Sequence, residues 1–489
     1  MPSLWRTAGC WEMWSVGVDI DEGLWQGWSP PRPGGISMGV GRIVASGFRF
    51  GRPARIDAPI GRHYRCGERP VETGRTARRV STACRPAIHP TATVWKLLGA
   101  PASRRLPRDQ AGGSRIVPAA VSADRPRTRR TAPPVLVRQV RNGVEESVHR
   151  GDIVETDVNG RLLRALGDPD HVVNLRSCVK PFGMVSLIEA GGIEAFDLGP
   201  PELAIMASSH SGEDLHVRTL QGVYRRAGIS QSLLACGAEK MPLDELTAAR
   251  LARDGEKASP VRHMCSGQHS VFLLLCKLRG WEPDGYWLEE HPAQLAYRDV
   301  VARAFGTTTS KLRLGIDGCG IPTYAFPLRA IARAYAFLAD PSAVAASDTR
   351  APVAPALRTV RDAMLAHPEM VAGTRDRIDT SVMKALPDRL VSKGGMEALR
   401  GLAILAGPRG NGARVPASGM AIKIEDGDGY DRATWAATIE ALRQAGVLSG
   451  QALRVLGRYH RPVETDPHGR VSAEAIPSFE LAPLGELIR

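Results

Sequence analysis

Ser177 and Lys180 stand three residues apart in NLRSCVKPFG, residues 174–183. An apolar, strand-like run (HVVNL) precedes them and a helix-like run (VKPFGMVSLIEAGG) follows. A serine hydroxyl attacks an amide or ester only when a base takes its proton. A lysine can be that base if burial or a neighbouring cation lowers its amine from about 10.4 towards neutrality. In a helix that starts near Ser177 the i, i+3 spacing puts both side chains on one face. Pro181 then falls in a first turn, where a lost backbone donor costs least. Alone, Ser-x-x-Lys is short enough to arise by chance, as a serine cap followed by a surface lysine. Its place at a strand-to-helix junction is the context that a catalytic pair needs.

Two other stretches would complete such a site. MASSHSGE (206–213) packs Ser208, Ser209, His210, Ser211 and Glu213 into a short segment, and VSKGG (391–395) places Lys393 before two glycines. Glycine lets backbone approach a ligand closely. A Ser-x-x-Lys acyl-transfer site uses a nucleophile–lysine pair, a second polar serine and a Lys-x-Gly on a strand edge. Arg176, beside the serine, could meet a substrate carboxylate or the protein surface. His210 and His269 could serve the site or make structural hydrogen bonds. Asp317, two residues before Cys319, could hold substrate or orient a ligand.

The elements that must position these residues read as follows. Asn142-Gly143 between two β-rich runs is a hairpin signal, and Asn159-Gly160 marks a second hairpin. PLRAIARAYAFLADP, HPAQLAYRDVVARAFG and ATWAATIEALRQAGVL carry helical apolar spacing, with Gly306 ending the second. AIKIEDGD (421–428) reads as a late strand, and 341–355 and 407–418 read as surface loops. The order predicts an α+β (α/β-type mixed) fold, an antiparallel sheet with packed helices. Cys178, Cys236 and Cys276 read as small core residues.

The chain divides by composition. Of 64 Lys+Arg and 51 Asp+Glu, residues 1–130 hold 22 and 9, so the net charge of +13 belongs to that segment alone. It also carries six of nine tryptophans and no periodicity, and ends in a Pro/Ala/Arg-rich run. The expectation is a disordered basic segment or a mis-assigned start over 1–132, then a catalytic domain over 133–489. Clustered arginine attracts phosphate, but without a nucleic-acid fold motif the reading is no nucleic acid partner. No run of 18 apolar residues and no secretory layout occur, so no membrane partner is expected. Eight scattered cysteines read as reduced thiols of a cytoplasmic protein.

The stretches ESVHRG (146–151), RSCVKPFG (176–183), SSHSGE (208–213), CSGQH (265–269), GIDGCGIPTYAFPL (315–328) and SKGG (392–395), with HPEMVAG and RIDT (377–380), resemble the bacterial L-asparaginase II family of rhizobial type, the class 3 asparaginases. The resemblance implies a fold related to serine β-lactamases and penicillin-binding proteins, a homodimer, and hydrolysis of L-asparagine to L-aspartate and ammonia. It implies two Ser-Lys tandems, Ser177–Lys180 and Ser209–Lys393. The nearer lysine favours Ser177 as the attacking group, although the resemblance leaves Ser209 open. Arg176, His269 and Asp317 become substrate-binding candidates.

The resemblance further implies a zinc ion held by two cysteines and a lysine. The cysteines match Cys265 and Cys319, but Gln268 stands where the family has lysine. An amide oxygen is a harder and weaker zinc partner than an amine, so zinc is possible and weakened. RHM before the motif and GAEK (237–240) also depart from the family pattern. The alternatives are a serine amidohydrolase for another small amide or a β-lactam-like substrate, and a binding homologue with impaired catalysis.

Overall fold

The computed structural model describes residues 131–238, 243–410, 412–429 and 431–484. The basic segment with Cys10, Cys66 and Cys84, and the Glu239–Lys240 part of GAEK, lie outside the described residues.

Asn142-Gly143 turns β1 (Val135–Arg141) into β2 (Val144–Thr156), both turn residues having positive φ. That is the backbone a tight right-twisted hairpin demands. The second expected turn joins β2 to β3 (Leu162–Leu166), with Asp157 accepting from the backbone of Asn159 and Arg161. A small sheet follows, in the order β4 (Val172–Asn174), β6 (Pro322–Pro327), β5 (Arg313–Ile316). The late strands are β7 (Leu390–Gly395), β8 (Leu399–Ile404), a short β9–β10 ladder (Gly407–Pro408, Arg414–Val415), β11 (Ser418–Ile424), β12 (Val463–Thr465) and β13 (Val471–Pro477). The ladder corrects the expectation of a plain loop over 407–418.

The main sheet is antiparallel in the order β12-β13-β1-β2-β11-β8-β7, with β3 paired beside β2. The edge strand β7 carries Lys393, and every residue of β8 is buried. Helix Leu328–Ala339 packs on β2, β8 and β11. The contact depends on Gly419, where a Cβ would lie 2.0 Å from the Ala332 carbonyl oxygen. Helix Arg432–Gln444 packs on β1, β11 and β13. Three expected helices thus form, and helix Pro292–Ala304 ends before Gly306 in the left-handed region. Among the described residues the sheet-plus-helix α+β reading holds, and no helix is long and apolar enough to cross a membrane.

Candidate active site

HVVNL supplies β4, and the chain then winds through a 3-10 turn, Arg176–Val179, into helix Lys180–Gly183. Arg176 takes φ 47, a left-handed conformation uncommon for a residue with a Cβ. This bend leaves Ser177 at the wall of a cavity of about 290 Å³ that Ser209 also lines. The long side chain of Lys180 runs inward and is 1% exposed.

Ser209 follows helix Pro200–Met206 in an irregular segment whose backbone is tied down from several directions. Its amide donates to Val371 O at 3.0 Å, and its carbonyl accepts from Arg377 Nη2 at 3.0 Å. Glu213 holds the same segment by accepting from Ser211 Oγ and from the Thr374 amide and hydroxyl. Lys393 reaches the site from β7, is fully buried, and rests above Cys178, whose thiol donates to the Lys393 carbonyl.

Both lysine amines meet at Ser209. Lys180 Nζ lies 3.1 Å and Lys393 Nζ 2.8 Å from Ser209 Oγ. Lys180 Nζ also donates to Ser208 O at 2.7 Å and to Cys265 Sγ at 3.3 Å, so three acceptors face an amine with three protons when charged. Lys393 has one other partner, Gly394 O at 2.6 Å, which leaves an uncharged amine a lone pair for the serine. Burial, and then the charge of Lys180, lower the Lys393 amine to about 7. The direct Ser177–Lys180 hydrogen bond that the spacing suggests is not made. The backbone spacing is as expected, but the four-carbon stem of Lys180 carries its amine on to Ser209.

The three substrate-binding candidates have partners of their own within the protein. Arg176 and Asp317 are bound to each other by two hydrogen bonds, of 3.1 and 3.2 Å, which uses the charge of both. His269 is buried and bonded to Tyr286 Oη at 2.6 Å, with burial lowering the imidazole to about 3. None of the three lines the cavity. His210 is hydrogen-bonded at both ring nitrogens: its Nδ1 accepts from the Gly212 amide and its Nε2 faces Ser266 Oγ at 2.8 Å. Cys178, Cys236 and Cys276 are buried free thiols, as expected of packing residues.

Cys265 and Cys319 are buried and close enough to share a proton. The hydrogen bond with Cys319, and then the Lys180 charge, hold the Cys265 thiol well below its usual range against the effect of burial. The same hydrogen bond, with burial, pushes Cys319 up. A zinc centre takes three or four strong donors. Among the described residues no three His, Cys, Asp or Glu side chains gather. Gln268 donates its amide N–H to Tyr297 Oη at 2.8 Å, and Lys180 already binds the Cys265 sulfur. Gln268 thus supplies no strong third donor beside Cys265 and Cys319.

The cavity wall adds charged residues without a role in the sequence reading. Asp379 accepts from Ser392 Oγ at 2.5 Å and from the Gly394 amide at 3.0 Å, and pairs with Arg400. Arg377, Asp376 and Asp431 also line the cavity. The motif RIDT names two of these residues, but its resemblance value said nothing of their chemistry.

A family model described as L-asparaginase II matches residues 137–476. No curated protein matches the sequence. Among solved structures, the native form of Mglu is similar at 16% identity, over 62% of this chain and 66% of its own, with a TM-score of 0.27. A probable glutaminase from Bacillus subtilis, complexed with 6-diazo-5-oxo-L-norleucine, is similar at 11% identity, over 61% of this chain and 84% of its own, with a TM-score of 0.29. The chain spans just under two thirds of the length of Mglu, 66%.

Proposed function

The chain belongs to the L-asparaginase II family, and from that premise we propose that it hydrolyses the side-chain amide of L-asparagine through a serine ester. The observation that carries this reading is Ser209 Oγ held between two lysine amines at a cavity wall. A general base must lie within hydrogen-bond reach of the proton it removes. Lys393 meets that condition at Ser209, and an amine near 7 is poised for proton transfer at neutral pH.

In this mechanism Ser209 Oγ attacks the amide carbon as its proton passes to Lys393 Nζ. The C–N bond breaks and the leaving nitrogen takes that proton as ammonia. Water then attacks the β-aspartyl ester, giving its proton to Lys393, and Ser209 leaves with a proton returned. The charge of Lys180 stabilises the alkoxide of Ser209 and lowers the Lys393 amine.

A second reading makes Ser177 the attacking group, with Ser209 relaying its proton to the lysines. The left-handed backbone at Arg176 favours it, because strained residues cluster where a side chain must be aimed. Neither route uses zinc. A homodimer and a cytoplasmic location remain part of the proposal on the family resemblance.

Ammonia release from L-asparagine by the full chain tests the function. Mass spectrometry of a slow-substrate ester, with peptide mapping of Ser177 against Ser209, tests the route. No turnover above a Ser209→Ala, Ser177→Ala double variant would end the proposal.

A further inference from the structure

The charges at the cavity wall do not all cancel. Arg400 pairs with Asp379, and Asp376 pairs with Arg458. Arg377 and Asp431 remain, one of each sign, within electrostatic reach of each other and, for Asp431, of Arg400. Among the described residues neither makes an ion pair, and the only hydrogen bond of the Arg377 side chain goes to Ser209 O. A guanidinium has five N–H donors in a planar fork suited to carboxylate. Most of that fork is therefore unused, one residue's reach from Ser209 Oγ.

Asp431 makes no capping bond for a local reason. It precedes helix Arg432–Gln444, where an aspartate ordinarily turns its oxygens onto the first helical amides. Asp428 does that instead, accepting from the Thr434 amide at 2.6 Å, while its carbonyl takes the Asp431 amide at 2.9 Å. Asp431 is left at φ 57 with no capping bond, exposed at the cavity wall.

We propose that Arg377 and Asp431 recognise the α-carboxylate and α-ammonium groups of the substrate, so that the cavity selects a free α-amino acid over amides lacking either charge. This specificity assignment rests on the amidohydrolase reading for its substrate. It does not rest on that reading for its test, because binding of the product, L-aspartate, is measurable without turnover.

The experiment is titration calorimetry of the full chain with L-aspartate, succinate (no ammonium) and β-alanine (no α-carboxylate). Loss of one charge-assisted contact corresponds to about 10- to 100-fold in affinity. Asp431→Asn weakens L-aspartate and β-alanine by that factor and leaves succinate unchanged. Arg377→Gln weakens L-aspartate and succinate and leaves β-alanine unchanged. Asp431 is exposed and caps nothing, so D431N keeps the fold and the ammonium half stands or falls on that variant. Succinate weakened as much as L-aspartate by D431N, or no measurable binding of L-aspartate to the unaltered chain, would overturn the assignment. The selective pattern without ammonia release from L-asparagine would sink the amidohydrolase reading and leave the amino-acid site standing.

Discussion

Ser209 Oγ and Lys393 Nζ lie 2.8 Å apart, although 184 residues separate them in the chain. The distance is that of a hydrogen bond. With Lys180 supplying a third member at 3.1 Å, the hydroxyl lies between two amines, and an uncharged Lys393 can turn its lone pair to the hydroxyl proton. An attacking serine that exchanges its proton as a bond forms needs such a base.

Removing the acceptor should stop the chemistry while leaving the cavity intact. Lys393→Met is expected to lower kcat by about 10³-fold or more, in the range seen for groups acting as a catalytic unit. L-Aspartate affinity should change by less than about tenfold, since the amine is assigned to proton transfer rather than binding. Steady-state ammonia release and calorimetry separate the two.

The pH profile should report the same amine. Lys393 is held near 7 by burial and by Lys180, and only the uncharged form accepts a proton. Rate should therefore rise with pH through about 7 and level above it. In Lys180→Met the residual activity should rise at higher pH, because a like charge that depressed Lys393 has gone. A limb that stays in place in that variant assigns the titration elsewhere.

Asp379 is expected to matter for stability as well as for site shape. Against burial, the charges of Arg400 and Lys393 and the bonds from Ser392 and the Gly394 amide lower its carboxyl to about 2. A depressed carboxyl contributes stability that is present above its unfolded value of about 3.9 and lost as pH falls through about 2. Asp379→Asn leaves the buried Arg400 unpaired, a loss of about 3–5 kcal/mol by analogy with broken buried pairs. Urea unfolding at pH 7 measures it.

Zinc should bind below one equivalent and should not limit activity. Gln268→Lys places an amine near Cys265 and Cys319 and should raise the zinc found by elemental mass spectrometry. It also forfeits the Tyr297 hydrogen bond, so a stability loss of about 1 kcal/mol is expected alongside. Full occupancy in the unaltered chain would contradict the donor set described above.

Gly183→Ala should loosen the element that carries Lys180. A Cβ there would lie 1.7 Å from Cζ of the fully buried Tyr297. Overpacking of this kind costs about 1–3 kcal/mol, and thermal unfolding should register it.

Much of the fold was legible because its signals are local. Asn-Gly turns require positive φ, and apolar spacing sets which helix face is buried, so both hairpins and three helices could be read from neighbouring residues. The β9–β10 ladder was not, since two-residue strands leave no periodicity. The motifs named Ser177, Lys180, Ser209 and Lys393, of which the fold joins both lysines at Ser209 and sets Ser177 on the same cavity wall.

Their division of labour was not. Sequence spacing places Lys180 beside Ser177, yet the direction of its amine depends on where Ser208, Ser209 and Cys265 arrive from other segments. Arg176 and Asp317 both looked free to bind substrate until folding brought them together. Conversely, nothing local marks Arg377 and Asp431 as the charges left without an ion pair at the cavity wall, because that depends on which partners the fold commits elsewhere. The sequence by itself determined which chemical groups the protein owns and which helices and strands carry them. Tertiary structure alone decided which groups neutralise one another and which face the cavity, because hydrogen bonds and ion pairs are short-ranged and their partners lie far apart along the chain.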